Sequence, residues 1–338
     1  MLILSSAQFE RHITPPGHPE RPERARVFDE VARRRAQSGG ATHEPRPASQ
    51  DELRRVHDEA YLDQLAGMVG RPAMLDPDTF MSPESLNVAL LAAGAAVQAA
   101  EHAVEHGAPA FALVRPPGHH AEPERAMGFC LFNNIGVAAA AMIARGLQRV
   151  AIVDIDVHHG NGTQAMFYRD PQILYVSTHQ YPFYPGTGAA TEIGAQDGRG
   201  FTVNVPMEAG CTDADYHLVH DAIVEPILDE FKPQVTLVSA GYDAHEQDPL
   251  ASMRMTTAGY AAIVERLRRI AERHGAIALV TEGGYDLSAL GACLEASFAV
   301  LDGVSVQPQA VRAQGESARG ARAVESARAA LKPYWRGL

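Results

Sequence analysis

Short apolar segments that alternate with longer helical patterns constrain the fold of this chain more than any other feature. Residues 150–153 and 235–238 are almost continuously apolar and rich in valine, so both faces of these predicted strands must be covered. Strands of this kind belong to parallel sheets, whose helical connections lie on both faces. The alternation therefore predicts an α/β fold of three layers, with a mostly parallel sheet between two layers of helices.

The predicted elements follow from this periodicity. Strands are predicted at residues 110–114, 150–155, 173–177, 201–205, 235–239 and 277–281, and helices at residues 83–105, 133–145, 214–230, 256–274 and 287–300. Residues 1–5 are apolar but lack a basic leader, which predicts a buried first strand rather than a secretory signal. Because no repeat or long linker divides the chain, we expect one domain over residues 1–338, with a helical extension at 311–338.

Charge and composition narrow the class of protein. The formal net charge of −12 argues against nucleic-acid binding, which requires clustered Lys and Arg. The charge favours a cationic substrate or simply keeps the protein soluble, and it does not decide between the two. No segment is apolar over the roughly 20 residues that a membrane-spanning helix needs. Three widely separated cysteines predict a reducing, cytoplasmic location. Assembly into a homo-oligomer is left open.

Polar residues cluster where four predicted strands end. These clusters lie at residues 115–120, 154–161, 239–248 and 282–286, and they are rich in His, Asp and Tyr. In open parallel sheets, ligands bind beyond the carboxyl ends of the strands. The sequence therefore predicts one functional site built from four loops that are distant in sequence.

The second of these clusters has the spacing of a metal site. Asp156 and His158 are two residues apart in an extended segment, so their side chains point the same way. Asp243, after another strand, can supply a third ligand. Two carboxylates and one imidazole leave coordination open for water and substrate, as in catalytic zinc sites; Fe²⁺ or Co²⁺ would also fit. His159 and His245 are interpreted as structural and loop residues.

The other clusters supply groups for acid–base chemistry. His119 and His120 are adjacent imidazoles that titrate in the range required of a proton carrier. Asp154 and Asn161 can accept hydrogen bonds from these imidazoles and orient them. Tyr285 follows two glycines and can direct its hydroxyl at a substrate carbonyl, which would stabilise a developing oxyanion.

Six segments together resemble the histone deacetylase family. They are RPPGHH (115–120), GFCLFNN (128–134), DIDVHHGNG (154–162), YPGTG (184–188), SAGYDAHEQDPL (239–250) and EGGYDL (282–287). The segment HPERPERAR (18–26) is similar to the family's N-terminal signature, so the resemblance extends over about residues 9–300. It is greatest to bacterial class II-like members, alongside acetylpolyamine amidohydrolases and acetoin-utilisation proteins. It implies the arginase-like fold, with an eight-stranded sheet in a single domain.

The resemblance also implies residue roles. The zinc ligands would be Asp156, His158 and Asp243. His120 would be the general base and acid, with His119 as a supporting imidazole paired with Asp154.

Further roles concern the substrate and a second ion. Tyr285 would polarise the carbonyl, and the Gly128 carbonyl would accept the substrate amide N–H. The walls of an acyl-lysine tunnel would be Phe129 and Tyr184. A structural potassium ion beside the zinc would be bound by Asp154, Asp156, His158, Ser177 and Thr178.

Three positions vary within the family. Asn161 stands where class I members have aspartate, which indicates class II. Tyr184 replaces a phenylalanine of many relatives, which would make the tunnel wall more polar. Leu250 near the tunnel mouth matches protein deacetylases, whereas specialised polyamine enzymes have glutamate there. Asp76 or Asp78, in the predicted rim loop at residues 75–81, would hold the substrate backbone, and the sequence does not choose between them.

The predicted function is zinc-dependent hydrolysis of N-acetylated amines, most directly acetyl-lysine side chains in proteins or peptides. The main alternative is an amidohydrolase of acetylpolyamines or other small acylated amines. An arginase-like ureohydrolase would need ligands for two manganese ions, and the chain offers one convincing set. A reader of acylated lysine without catalysis would not need both histidines together with Tyr285.

Overall fold

A computed structural model describes residues 1–305 and 317–338, in which eight parallel strands form one sheet. These strands are β1 (Leu2–Leu4), β2 (Ala41–His43), β5 (Ala110–Ala112), β6 (Val150–Asp154), β7 (Ile173–Gln180), β8 (Thr202–Met207), β9 (Val235–Ala240) and β10 (Ala276–Thr281). Their order across the sheet is β2-β1-β5-β10-β9-β6-β7-β8. A separate antiparallel pair is formed by β3 (Ala73–Asp76) and β4 (Thr79–Met81).

Helices connect the strands and cover the sheet. They are α1 (Glu23–Gln37), α2 (Gln50–Leu53), α3 (Glu59–Ala66), α4 (Ser85–His106), α5 (Asn134–Ala144), α6 (Asn161–Phe167), α7 (Asp213–Val219), α8 (Glu225–Phe231), α9 (Thr257–His274), α10 (Leu287–Leu301) and α11 (Ala318–Leu331). A π-helical turn at His220–Val224 joins α7 to α8. In the part of the chain that the structure describes, no helix combines the length and apolar character needed to cross a bilayer.

Neighbouring residues of one strand pack into different hydrophobic clusters because their side chains point to opposite faces of the sheet. In β9, Val238 packs with residues of α1, α9 and α10, and Leu237 packs with residues of α4 and α5. Both side chains are fully buried. The predicted three-layer α/β fold, with an eight-stranded sheet, is therefore confirmed.

All six predicted internal strands and the first strand are present, and the differences have physical causes. The edge strand β2 was not predicted because two of its three side chains are exposed, so it lacks an apolar signal. Helix α1 was missed because its apolar face, centred on Phe28 and Val31, lies among many charged residues. The helix predicted at residues 214–230 is divided by the π-helical turn.

The C-terminal helical extension predicted at residues 311–338 contains α11. Residues 311–316 of that prediction lie outside the described residues. One face of α11, including Val324 and Leu331, is buried in the same hydrophobic cluster as residues of β8.

The register of the sheet sets where polar side chains meet. Asp154, the last residue of β6, is paired with Ser177 of β7 and with Ser239 of β9. Because these parallel strands end at one edge, the loops that follow them converge there. The polar clusters at the strand ends therefore come together above the centre of the sheet.

Candidate metal centre and active site

Asp156, His158 and Asp243 lie together at this edge of the sheet. Their ligand atoms are all within 4.8 Å of one another, and no other group of three such residues was found within residues 1–305 and 317–338. His158 Nδ1 is 3.1 Å from Asp156 Oδ1 and 3.1 Å from Asp243 Oδ2. The loops after β6 and β9 thus bring together the three residues predicted as metal ligands.

The main chain around these ligands leaves room for their carboxylates. A Cβ atom at Gly283 would lie 2.1 Å from Asp243 Oδ2 and 2.7 Å from Asp156 Oδ2, so only glycine fits there. The Gly283 N–H also donates to Asp156 Oδ2 over 2.8 Å. The close approach of the backbone therefore fixes the carboxylate positions.

Electrostatics make this group suitable for a divalent cation. Burial and the charge of Asp156 raise the pKa of Asp243 to about 7. Burial also acts to raise the pKa of Asp156, but the imidazoles of His119 and His158 outweigh it and lower that pKa. Two fully buried carboxylates thus face each other with one imidazole between them. A dication would favour both ionised forms, and the donor set of two oxygens and one nitrogen suits zinc.

The two adjacent histidines lie beside the ligands but have different surroundings. Their ring centroids are 4.0 Å apart, and the His120 ring is 5.9 Å from that of His158. His119 Nδ1 is 3.0 Å from Asp154 Oδ2. Burial lowers the pKa of His119, but Asp154 and Asp156 outweigh it and hold this pKa well above its usual range.

His120 is held differently. Its Nδ1 is 2.8 Å from Asn161 Oδ1. Burial, followed by the charges of His119 and His158, lowers the pKa of His120 well below its usual range. His120 is therefore neutral at physiological pH and has one ring nitrogen free to accept a proton.

Tyr285 lies close to the same centre. Its ring centroid is 5.9 Å from that of Phe129. Burial raises the pKa of the Tyr285 hydroxyl well above its usual range, so this group remains a hydrogen-bond donor. The ring of Tyr184 is 5.2 Å from that of His120 and 6.1 Å from that of His158.

The backbone next to Phe129 is shaped for this site. Gly128 and Phe129 have φ angles of 56° and 70°, both in the left-handed region. A Cβ atom at Gly128 would lie 2.4 Å from His120 Cδ2, so glycine is required. The Phe129 N–H donates to Thr79 Oγ1 over 3.0 Å, which holds this strained segment. The Gly128 carbonyl accepts the thiol of Cys130 over 3.2 Å.

Leu250 lies beside Tyr285 at a surface cavity of about 610 Å³, which is also lined by His18. The Leu250 N–H donates to Asp248 Oδ1 over 3.0 Å. Asp248 Oδ2 accepts the Tyr285 N–H over 2.6 Å, so one carboxylate links the two segments.

The rim residues Asp76 and Asp78, two positions apart in sequence, are in contact. The Asp78 N–H donates to Asp76 Oδ1 over 2.9 Å. Burial, together with the hydrogen bond and charge of Asp76, raises the pKa of Asp78 to about 6. Both acids remain candidates for holding the substrate backbone.

Two of the residues predicted to bind potassium, Asp154 and Ser177, lie side by side. Ser177 is paired with Asp154 in the register of β6 and β7, and its Oγ is 2.9 Å from His179 Nδ1. Thr178 Oγ1 is buried and has no hydrogen-bond partner in the described part of the chain.

Three carboxylates that support the site were not identified from the sequence. Glu282 accepts the N–H groups of Gly118 and His119, at 2.6 and 3.2 Å. Asp248 holds Tyr285 as described, and Glu122 contacts Asn161 over 2.7 Å. Glu282 and Asp248 lie inside motifs recognised in the sequence, but their role as acceptors of backbone N–H groups depends on loop positions that the sequence does not give.

Comparison with known proteins places these features in one family. A histone deacetylase domain model matches residues 18–301. A probable deacetylase of Archaeoglobus fulgidus is 40% identical over 291 residues, which cover 84% of this chain and 81% of that protein. A histone deacetylase-like amidohydrolase of Pseudomonas aeruginosa is 42% identical over 272 residues, which cover 79% of this chain and 71% of that protein.

A solved structure gives the same result. The crystal structure of the HDA15 HD domain superposes with a TM-score of 0.90 at 34% sequence identity, covering 99% of this chain and 95% of that domain. The fold and the site define an α/β hydrolytic enzyme of the deacetylase and amidohydrolase type. The chain belongs to the histone deacetylase family, whose members act on acetylated substrates.

Proposed function

We propose that this protein is a zinc-dependent deacylase that hydrolyses the side-chain amide of acetyl-lysine. The observation that carries the proposal is the position of His158 Nδ1, 3.1 Å from both the Asp156 and the Asp243 carboxylate, beside the imidazole of His120. Asp156, His158 and Asp243 would hold the zinc ion. When bound, zinc supplies the Lewis acidity that activates water and polarises the acetyl carbonyl.

His120 would transfer the protons of the reaction. Because Asn161 Oδ1 occupies Nδ1 of His120, the proton of the neutral ring sits on Nδ1 and Nε2 is the free acceptor. Nε2 would take a proton from the attacking water and then give it to the departing lysine amine. His119, which is 3.0 Å from Asp154 Oδ2, would support His120 from the adjacent position.

Tyr285 would donate its hydroxyl proton in a hydrogen bond to the carbonyl oxygen as negative charge develops there. The raised pKa of the buried Tyr285 hydroxyl favours this role, because the group stays protonated over the working pH range. Asp248 would position Tyr285 through the hydrogen bond to its backbone N–H.

The substrate would enter between aromatic side chains. Phe129 and Tyr184 would flank the aliphatic part of acetyl-lysine, and the Gly128 carbonyl would accept the amide N–H. Leu250, beside Tyr285, offers an apolar contact to a peptide backbone and no charge to a second ammonium group. These contacts favour acetyl-lysine over an acetylated polyamine.

A small acetylated amine is the second candidate substrate. The acidic pair Asp76 and Asp78 lies next to the Thr79 side chain that holds Phe129, so a distal ammonium group could be attracted to this rim. The net charge of −12 acts in the same direction.

We further propose a structural potassium ion bound by Asp154, Asp156, His158, Ser177 and Thr178, as the family resemblance implies, because the register of β6 and β7 sets Ser177 beside Asp154. Turnover measured in potassium and in sodium salts at equal ionic strength tests the potassium site.

The cysteines Cys130, Cys211 and Cys293 are free and buried, which supports a cytoplasmic location.

The proposed function is tested with purified, zinc-loaded protein and two substrate sets, acetyl-lysine peptides and acetylated polyamines. We expect kcat/KM to be higher for the peptides. A higher value for the polyamines would replace the lysine proposal by the small-amine alternative. No hydrolysis of either set would contradict both.

A further inference from the structure

A carboxylate outside the predicted site contacts the residue that orients His120. Glu122 lies in the turn that follows the two histidines. Its Oε1 accepts a hydrogen bond from Asn161 Nδ2 over 2.7 Å, and its Oε2 accepts one from Arg125 Nε over 2.9 Å. The side chain of Glu122 is 16% exposed. Both oxygens of this carboxylate are therefore engaged in defined directions.

The contact with Glu122 removes an ambiguity in the Asn161 side chain. An asparagine amide has a donor end and an acceptor end of similar size, and a half-turn exchanges them. With its ends exchanged, Asn161 would turn its oxygen toward Glu122 Oε1 and its NH₂ group toward His120 Nδ1. A carboxylate only accepts hydrogen bonds, so two acceptors would then face each other at close range. Glu122 thus permits one orientation of the amide.

The orientation of the amide decides which nitrogen of His120 carries the proton. With Oδ1 of Asn161 facing it at 2.8 Å, Nδ1 of the neutral ring must be the donor, and Nε2 is left as the acceptor. The exchanged amide would present a donor to Nδ1 and would place the proton on Nε2. The ring could then no longer accept a proton from water at Nε2.

The turn that carries Glu122 is held by its own main chain. The Glu122 N–H donates to the Arg125 carbonyl over 3.0 Å, and the Asp58 N–H donates to the Pro123 carbonyl over 2.9 Å. Buried His57 accepts the Asn133 N–H at Nε2 and therefore donates from Nδ1 to the Glu122 carbonyl, over 3.1 Å. The position of Glu122 does not depend on its contact with Asn161, so its side chain can be changed without loss of the turn.

We propose that Glu122 is a positioning residue that selects the tautomer of His120 by fixing the amide of Asn161. The proposal rests on the role assigned to His120 in the proposed function. Glu122 acts on His120 through Asn161. It forms the outer member of a chain of three side chains, His120, Asn161 and Glu122, in which each hydrogen bond sets the direction of the next.

Four variants test this chain of hydrogen bonds. Glu122→Gln keeps the shape of the side chain but removes the shortest acceptor contact of Asn161 Nδ2, which leaves the His120 carbonyl at 3.4 Å and Met127 Sδ at 3.2 Å. In Asn161→Asp both ends of the side chain are acceptors, so a half-turn no longer changes the hydrogen bonding. This variant places two carboxylates against each other, however. The double variant Glu122→Gln with Asn161→Asp restores a donor opposite an acceptor between the two changed side chains and keeps an acceptor opposite His120 Nδ1. Glu124→Gln is the matched control, because Glu124 lies on the same turn and makes no hydrogen bond to Asn161.

The measurements are kcat and KM on an acetyl-lysine peptide, zinc content and thermal unfolding. We expect Glu122→Gln to lower kcat by about tenfold, with KM within about twofold, since a wrong tautomer removes proton transfer rather than binding. For Asn161→Asp we expect a larger fall in kcat than for Glu122→Gln. The double variant is expected to recover to within about threefold of wild type, and zinc content should stay unchanged throughout. Recovery separates tautomer selection from a structural role, because two structural defects would accumulate.

Two results would overturn the proposal. In one, Glu122→Gln matches Glu124→Gln; in the other, the double variant is no better than Asn161→Asp alone. Failure of the proposed function is recognised separately. In that case wild type would hydrolyse no acetylated substrate, or the His120→Ala variant would be as active as wild type. Either of those results would also overturn the role of Glu122.

Discussion

At the scale of single residues, the surroundings of a side chain decide its chemistry. His119 and His120 are neighbours in sequence, and their ring centroids are 4.0 Å apart. Asp154 and Asp156 outweigh burial and hold the pKa of His119 high, whereas burial is the main cause that holds the pKa of His120 low. The pKa values of two identical residues are thereby shifted in opposite directions. This separation is typical of sites in which one group carries protons and another supplies fixed charge.

The role of the Tyr285 hydroxyl is tested by Tyr285→Phe, which keeps the ring and its packing against Phe129. We expect kcat to fall by about 10²–10³, similar to the loss of one oxyanion donor. Zinc content should not change, because Tyr285 is not among the ligands. Measured on an acetyl-lysine peptide, a fall of less than about threefold would show that the hydroxyl serves packing only.

Substrate choice is tested at Leu250. Leu250→Glu places a carboxylate beside Tyr285, where it can attract the distal ammonium of an acetylated polyamine. We expect the ratio of kcat/KM values to shift toward the polyamine by about tenfold, corresponding to a charge-assisted contact of about 1–3 kcal/mol. Leu250→Gln, of the same shape without charge, is the control. The shift of this ratio in Leu250→Glu should be smaller at high salt, because salt screens the charge. An equal shift of the ratio in Leu250→Glu and Leu250→Gln would exclude a charge effect.

At the scale of elements, the loops that follow β5, β6, β9 and β10 build the site together. The spacing of Asp156 and His158 and the position of Asp243 after a strand could be read from the sequence, because extended segments and parallel sheets have fixed geometries. The functions of Glu282 and Asp248 could not be read in this way. Each accepts backbone N–H groups from another loop, and such contacts depend on how the loops pack rather than on a spacing within one segment.

The metal site formed by these loops is tested by Asp243→Ala. We expect loss of both zinc and turnover, because the change removes one of the three proposed ligands of a single zinc ion. Asp213→Ala is the control. Asp213 is also buried, but it holds the N-terminal end of α9 through the Thr256 N–H, so its loss should reduce stability and leave zinc bound. Full zinc content in Asp243→Ala would contradict the ligand assignment.

At the scale of the whole molecule, a buried ion-pair cluster links the N-terminal segment to the active-site loops. Glu20 pairs with Arg24 over 3.0 Å and also with Arg115, and all three side chains are fully buried. Arg24 in turn donates to the Gly284 carbonyl over 2.8 Å and lies 5.1 Å from the centre of the Tyr285 ring. The sequence identified residues 18–26 only by resemblance. Without the structure, nothing indicated that this segment supports the loop of Tyr285.

This cluster makes stability depend on pH. Burial acts to raise the pKa of Glu20, but Arg115 and His12 outweigh it and hold the pKa well below its ordinary value of 4.5. The contribution of Glu20 to stability is therefore complete above pH 4.5 and is lost as the pH falls toward the folded pKa. We expect Glu20→Gln to lower the free energy of unfolding by about 3–5 kcal/mol at neutral pH.

Denaturant unfolding at several pH values measures this effect. The difference between wild type and Glu20→Gln should narrow below pH 4.5. Glu30→Gln is the control, because the Glu30–Arg34 pair is exposed and such pairs contribute about 0–1 kcal/mol. Equal losses in both variants, or a difference that does not depend on pH, would exclude the buried pair as the cause.

The most direct test of the whole account compares wild type with His120→Ala in release of acetate from an acetyl-lysine peptide, at equal zinc content. Both proteins should bind about one zinc per chain, because His120 is not among the three proposed ligands. We expect wild type to turn over and His120→Ala to lose at least about 10²-fold in kcat. Zinc-loaded wild type that releases no acetate, or His120→Ala that releases it at the rate of wild type, would contradict the account.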